Sequence, residues 1–378
     1  MRVLFISNDF PPKPGGGAMA AYGLARGLHQ IGVEVWVLTT APPRGHTDAE
    51  GFPLTRTAPR WDKKGVKILP LTLASLGICR RWHPHRLLAL SWTHDGVAAL
   101  IIRRLRGIPY LVMAHGTEIL RHRRGPLHPL MLRVFRNAIA VAANSTFTHR
   151  LVVSLGIPAE HVYVVHPPIV STNPPEPDSR LVDEKFNLRG KRVLLTVARL
   201  VKRKGHAQVL EALRALKDRY PDLVYVITGD GEYRAELQRL VSQYGLEEQV
   251  RFIGFIPREE VWQLYQRAEI YISPSLEDKG DVEGFGISFV EAGLCGKPVI
   301  AGRSGGVADV VRDGETGLLV DAHNPGEIIR ALTLLLDNPA LRERLGQRGR
   351  ERALQEFTPE AQAQKMLKVL EDAVARKV

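Results

Sequence analysis

Cysteine is almost missing from this 378-residue chain. Cys79 and Cys295 lie far apart and form no metal-ligand or redox spacing, which excludes a disulfide framework and makes a reducing cytoplasm the expected home. Long apolar runs are missing too. None approaches the roughly 18 residues of a membrane span, and the apolar run within Met1–Asn8 is too short for a signal-peptide core. Acidic residues are scarce in the first half: residues 1–170 hold 21 Lys/Arg against 8 Asp/Glu, whereas the remainder holds 31 against 32. The whole excess of the +12 net charge therefore sits there, densest at Arg103-Arg104-Leu105-Arg106 and Arg121-His122-Arg123-Arg124. Such asymmetry suggests an anionic partner, for example a membrane surface, although a merely solvated basic face reads the same way. With 44% hydrophobic and 24% charged residues the chain is neither disordered nor fibrous. At about 150 residues per domain it is long enough for two.

Short apolar runs alternate with helix-periodic stretches. The first half carries strands at Val3–Ser7, Val33–Thr39, Tyr110–Ala114 and Ile139–Ala143, and helices at Gly17–Gln30 and Val97–Arg106. Residues 41–65, rich in Pro, Gly and charge, read as a mobile loop, and the Pro-rich stretch 167–190 reads as a linker. A second block follows, with strands at Arg192–Val197, Leu223–Thr228, Val250–Gly254, Ile270–Ser273 and Pro298–Ala301. Its helices are His206–Arg219, Tyr233–Tyr244, Arg258–Arg267, Ile287–Leu294 and Val307–Arg312. This βα alternation predicts an α/β fold of two doubly wound, Rossmann-like domains, 1–170 and 171–357, whose parallel sheets bind ligands at the carboxyl ends of their strands. The hinge implies a cleft between them.

The residues with chemistry fall at those strand ends. Gly15-Gly16-Gly17 opens the first helix with bare backbone N–H groups. It follows neither the shorter dinucleotide fingerprint nor a Walker loop, since no Gly-Lys-Ser/Thr comes after it. His115 and Ser145 each follow a strand. Alone, a His there is more often a structural hydrogen-bonder, and Ser145 reads as a helix N-cap. After Val197 comes Ala198-Arg199-Leu-Val-Lys-Arg-Lys204-Gly205, from which Arg199 and Lys204 can clamp a diphosphate. Gly229-Asp230-Gly231 makes a tight turn, and Phe252-Ile-Gly-Phe-Ile256 offers backbone groups and an aromatic for a base. The centre of the pattern is Glu283-Gly284-Phe285-Gly286-Ile287-Ser-Phe-Val-Glu291, two carboxylates flanking a helix N-terminus suited to phosphate. Carboxylates beside an anion make sense where each hydrogen-bonds a hydroxyl, as a sugar-nucleotide would offer.

In this order, with Gly296-Lys-Pro-Val-Ile-Ala301, Gly305-Gly306 and Gly314-Glu-Thr-Gly-Leu318, these motifs resemble glycosyltransferase family 4, retaining enzymes of the GT-B fold, almost end to end. The resemblance implies an N-terminal acceptor-binding domain, onto which a last helix at about 358–378 packs back, and a C-terminal nucleotide-sugar domain. It implies that Arg199 and Lys204 hold the diphosphate, Glu283 the transferred sugar and Glu291 the ribose. Gly16 and Gly17 would meet the phosphates, and His115 would border the reaction centre. The donor site would be completed by Gly231, Ile256, Gly284, Phe285, Gly286 and Ile287. The implied activity is hexosyl transfer to a glycan or lipid-linked acceptor in glycolipid, polysaccharide or envelope synthesis. The acidic link Leu276-Glu-Asp-Lys-Gly-Asp-Val282 is longer than the family often has. It looks like the phosphatidylinositol mannosyltransferase type, which takes GDP-mannose, and UDP-sugars are the other candidate donors. No Asp-x-Asp occurs in the chain, so we expect no cofactor and no metal.

A GT-B-fold epimerase is the alternative within the fold. Phosphorylases should be longer and carry a pyridoxal-lysine. A nucleic-acid-binding or scaffold protein is the alternative of another class, but few aromatics interleave with the Arg clusters, so no nucleic acid is expected. An anionic inner face of the plasma membrane is a candidate surface for the basic domain. Arg121, Arg123 and Arg124 beside Leu127, Leu130, Met131 and Phe135 form the candidate amphipathic segment, unless that stripe faces the core.

Overall fold

The computed structural model describes residues 1–13, 15–40, 51–57, 68–178 and 180–375. They fall into two compact units, Met1–Val170 with Glu356–Val378, and Ser171–Gln355.

The first unit runs β1 (Arg2–Ser7), α1 (Gly16–Gln30), β2 (Glu34–Thr39), β3 (Leu54–Arg56), α2 (Ile68–Trp82), β4 (Arg86–Ala89) and α3 (His94–Arg106). It continues through β5 (Tyr110–Ala114), α4 (Thr117–His122), α5 (His128–Asn137), β6 (Ala140–Ala143), α6 (Thr146–Ser154) and β7 (Val162–Val164). The second unit runs α7 (Arg180–Lys185), β8 (Arg192–Val197), α8 (His206–Leu216), β9 (Leu223–Thr228), α9 (Arg234–Tyr244), β10 (Val250–Gly254) and α10 (Arg258–Arg267). After these come β11 (Ile270–Ser273), α11 (Ile287–Leu294), β12 (Val299–Gly302), β13 (Gly317–Val320), α12 (Pro325–Asp337) and α13 (Pro339–Glu356). The last helix, α14 (Pro359–Ala375), belongs to the first unit and packs on α1. Its Ala363, Met366 and Leu370 join Leu24 and Leu28 of α1 in one core, and the buried Gln362 side chain accepts the His166 amide at 2.9 Å.

Both sheets are parallel. Strands covered by helices on both faces must be apolar along their whole length, and β5 and β9 are buried at every position. The strand orders are β3-β2-β1-β4-β5-β6-β7 and β10-β9-β8-β11-β12-β13. Each order reverses once, between β1 and β4 in the first unit and between β8 and β11 in the second. At such a point the two loops leaving neighbouring strands diverge to opposite faces and leave a crevice for ligand.

Four expectations need correcting. Of the stretch 41–65, residues 51–57 carry strand β3, held by Trp36 Nε1 donating to Thr55 Oγ1 at 2.9 Å. Residues 41–50 and 58–65 lie outside the described residues. The linker 167–190 contains helix α7, tied down by Arg267 donating to Asp183 at 2.6 Å, so its second half is part of the packed unit. Val307–Arg312 is only the short 3-10 turn Val307–Asp309, because the Thr316 hydroxyl takes the Arg312 amide into the next turn. Finally, Met131 and Phe135 of the candidate stripe are buried in the first unit's core, whereas Leu127 is 44% exposed, so only part of the stripe is free to face outwards.

Candidate active site

In the second unit the loop leaving β8 is pressed onto the loop leaving β11. The Arg203 carbonyl accepts the Leu276 amide at 2.9 Å, and the Lys204 carbonyl accepts the Ser273 hydroxyl at 3.2 Å. Gly205 follows with φ +77°, and a Cβ there would run into the Pro274 carbonyl, so this position takes only glycine. Gly231 is required for the same reason on the other side: a Cβ would collide with the Leu200 carbonyl. The geometry gives Gly231 a packing role that holds the 198–205 loop in place.

This stitching brings Lys204 and Glu283 into direct contact. Lys204 Nζ donates to Glu283 Oε2, and Arg203 Nη1 donates to the same oxygen at 3.0 Å. Glu283 is 7% exposed, yet burial does not neutralise it. Burial pushes the carboxyl up, and the charges of Lys204 and Arg203 together outweigh it and hold Glu283 below the usual carboxylate range. Burial also lowers the Lys204 ammonium, with Glu283 opposing that fall. Arg199, by contrast, is exposed. Its carbonyl lies 3.4 Å from Nε2 of the buried His206, whose Nδ1 lies 3.0 Å from the Tyr225 hydroxyl. Burial lowers the His206 ring to about 4, so it is a neutral prop under the loop.

Gly284, Phe285 and Gly286 lead from Glu283 into α11, whose N-cap, Gly286, offers no side-chain cap, and Ile287 is its first residue. The Glu283 carbonyl accepts the Gly306 amide at 2.8 Å. Glu291, on the same helix, belongs to a separate network: Arg258 donates to Oε1 at 2.5 Å and the Tyr265 hydroxyl to Oε2 at 2.8 Å. Arg258 lies two residues past the half-buried Ile256, beyond the strongly exposed Phe255. Arg199, Lys204, Gly231, Ile256 and Glu283 thus all sit on loops leaving β8, β9, β10 and β11. Arg203, Arg258 and His206 were not legible as site residues. The first stood inside a basic run, the second on an amphipathic helix, and the third looked like an ordinary helix start.

The first unit has a different edge. Gly16 and Gly17 are exposed at the start of α1, with open space where a Gly17 Cβ would stand. His115 Nε2 lies 2.6 Å from the Leu90 carbonyl, which can only accept, so that nitrogen carries the hydrogen. Ser145 caps α6, accepting the Thr148 amide at 3.2 Å. Asp95, at the β1/β4 switch point, is buried and accepts the Asn8 amide at 3.0 Å and the Ser91 hydroxyl at 3.1 Å. Burial pushes its carboxyl up to about 7 against the Ser91 bond, with Asp9 adding to the rise.

Sequence profiles cover almost the whole chain: "Glycosyltransferase Family 4" matches residues 14–173 and "Glycosyl transferases group 1" matches 179–352. A curated relative from Mycolicibacterium smegmatis, a GDP-mannose-dependent alpha-(1-6)-phosphatidylinositol monomannoside mannosyltransferase, is 32% identical over 93% of this chain and 94% of its own. The chain belongs to glycosyltransferase family 4. This glycosyltransferase is also 29% identical, over 84% of its length and 88% of the relative's, to the 2-deoxystreptamine glucosyltransferase of Streptomyces kanamyceticus. Among solved structures, Anabaena HepE in complex with UDP covers 98% of this chain and 100% of its own at TM-score 0.80 and 21% identity. Sucrose-phosphate synthase from Thermosynechococcus elongatus covers 99% of both chains at TM-score 0.81 and 22% identity. The fold is GT-B. The reaction is transfer of a hexosyl group from a nucleotide-diphosphate sugar to an acceptor hydroxyl.

Proposed function

We propose that the enzyme transfers mannose from GDP-mannose, with retention at the anomeric carbon and without a metal, to a lipid-linked glycan at an anionic membrane surface. The observation that carries the reading is the contact of Lys204 with Glu283 at the β8/β11 switch point. It sets a cation suited to a diphosphate beside a carboxylate suited to a sugar hydroxyl. The near full-length likeness to the mycobacterial mannosyltransferase supports the donor.

In this reading Arg199 and Lys204 bind the diphosphate and take up the charge that develops on it as its bond to the anomeric carbon breaks. The acceptor hydroxyl attacks from the face the diphosphate leaves and gives its proton to a phosphate oxygen. Positioning and electrostatic stabilisation supply the rate. Glu283 orients the sugar and Glu291 the ribose. Gly16, Gly17 and His115 are assigned to the donor phosphates and the reaction centre on family likeness alone. Among the described residues no three His, Cys, Asp or Glu side chains gather as a ligand set. The cations after β8 are the groups we assign to the role a metal would otherwise fill.

Among the described residues no helix is long and apolar enough to cross a membrane. For the membrane surface we assign the outer side of α2 and the end of α3. Leu69 and Leu73, one turn apart, are 54% and 60% exposed, with exposed Arg80 and Arg81 further along the helix. Leu105, 63% exposed, stands between Arg104 and Arg106. Sedimentation with vesicles should need anionic lipid, fall steeply with salt and weaken in Leu69→Ser/Leu73→Ser. A thermal-shift series of GDP, UDP, ADP and their sugars tests the donor. Stabilisation by GDP-mannose supports the reading, and stabilisation by UDP-sugars alone replaces the donor. Turnover without an acceptor would favour the epimerase, and activity abolished by EDTA would overturn metal independence.

A further inference from the structure

Resting on the reading of Glu283 as the sugar contact, one consequence of the geometry concerns what happens to that carboxylate during the reaction. Both cations that hold it sit on a single oxygen, Oε2. Lys204 is the one the diphosphate draws on. A carboxylate that is 7% exposed and shares its ammonium with a phosphate would drift towards its neutral form unless a second cation stayed.

Arg203 is built to stay. It is 9% exposed, and while Nη1 reaches Glu283, its Nε donates to Asp281 Oδ2 at 3.0 Å. Its backbone cannot retreat, because the carbonyls of residues 203 and 204 are bonded to Leu276 and Ser273. Asp281 is presented by its own tight turn: the Asp278 and Asp281 amides each donate to the other's carbonyl, at 3.0 and 2.8 Å, across Lys279 and Gly280, both at positive φ. This turn belongs to the long acidic link singled out in the sequence. We propose that Arg203, aimed by Asp281, is a positioning residue that keeps Glu283 ionised through Oε2 and leaves Oε1 for the sugar, while Lys204 serves the diphosphate.

The test uses the full-length enzyme with its nucleotide-sugar donor and a working acceptor. Arg203→Met should lower kcat by about 10²-fold, with donor KM changed by less than about 3-fold, since what is lost is alignment in the transition state. Removing the guanidinium raises the Glu283 carboxyl, so activity that needs its anion disappears at a higher pH. The acid limb of kcat/KM should therefore move up, and Arg203→Lys should restore part of it. In a Glu283→Gln background Arg203→Met should cost no more than about 3-fold further, because Arg203 acts through Glu283. Asp281→Asn, on a partly exposed turn, should shift the acid limb in the same direction by less. A wild-type acid limb in both Arg203→Met and Asp281→Asn overturns the proposal, as does full additivity with Glu283→Gln. If Arg203→Met does not fold, Arg203→Lys and Asp281→Asn decide by the same limb. Wild-type kcat in Glu283→Gln would instead sink the underlying assignment of Glu283, an outcome distinct from failure of the Arg203 link.

Discussion

The two sheets follow the same strand order around their reversal points, and the loops there differ in how their charges are buried and paired. At the β8/β11 point of the second unit, two carboxylates (Asp281 and Glu283) are held by two cations (Arg203 and Lys204) on a loop propped by the neutral His206, through bonds of 3.0 to 3.4 Å and the Lys204–Glu283 contact. At the β1/β4 point of the first unit a single carboxylate, Asp95, is buried among backbone amides and hydroxyls, and the charged pair beside it, Asp9 with Lys13 at 3.8 Å, lies nearer solvent. The first unit's sequence nonetheless carries the protein's positive charge, and among the described residues Arg80 and Arg81 of α2 and Arg103, Arg104 and Arg106 of α3 carry part of it. The contrast shows that bulk charge and site charge are separate properties. A surface excess acts over a Debye length on a large partner, whereas a buried pair acts on one atom of one ligand.

The largest effect that would break the comparison is loss of the second unit's charged contact. Lys204→Ala, Arg199→Ala and Glu283→Gln should each lower kcat/KM by roughly 10²- to 10⁴-fold. Glu283→Gln should leave nucleoside-diphosphate affinity nearly unchanged in calorimetry, and Lys204→Ala should weaken it. Activity near wild type in the Lys204 variant would remove the reason for treating this edge as the reactive one.

A smaller effect is expected at the neighbouring network. Arg258→Ala strips Glu291 of its cation and leaves the Tyr265 hydroxyl as its hydrogen-bond donor. Nucleoside-diphosphate affinity should drop by about 10-fold, roughly the value of one charge-assisted bond, with kcat less affected. Glu291→Ala should do the same. If either variant lost kcat and kept affinity, the roles of Glu283 and Glu291 would have to be exchanged.

The smallest effect belongs to the first unit. The Asp95 carboxyl is raised to about 7 in the folded protein from 3.8. Between those values the folded state holds a proton that the unfolded chain has lost, so this group's contribution to stability declines as pH rises from about 4 to about 7 and is level above that. Asp95→Asn mimics the protonated form and should flatten that decline in a melting series. It should also leave nucleotide binding intact. A wild-type slope in the Asn variant would mean that Asp95 does not carry this pH dependence.

Legibility in the sequence followed locality. Strands β8, β9 and β11 could be read because a buried parallel strand is apolar at most of its positions, a property of four to six consecutive residues. Strand β4 escaped because Arg86-Leu-Leu-Ala89 opens on an arginine and follows a basic, His-rich turn, and with it went the first unit's switch point and Asp95. Strand β3 escaped because its stretch looked like loop by composition. The α5 stripe was legible as amphipathic, with the core or a membrane as its two candidate partners, and only the fold turned Met131 and Phe135 inward, since periodicity gives the width of an apolar face and not what covers it.

By itself the sequence determined the βα alternation, the glycines at the strand ends, the unequal charge of the two halves, and the presence of Arg199, Lys204, Glu283 and Glu291 on loops and a helix next to those ends. Tertiary structure alone decided the pairing. Arg203 and Glu283 are 80 residues apart and meet because strand order sets the loops leaving β8 and β11 side by side, and Arg258 and Glu291, 33 apart, meet because helices α10 and α11 pack together. Lys202, Arg203 and Lys204 are equivalent as letters in a basic run. Only the fold buries the last two and leaves Lys202 in solvent, and burial is what turns a surface charge into one that can hold a carboxylate ionised.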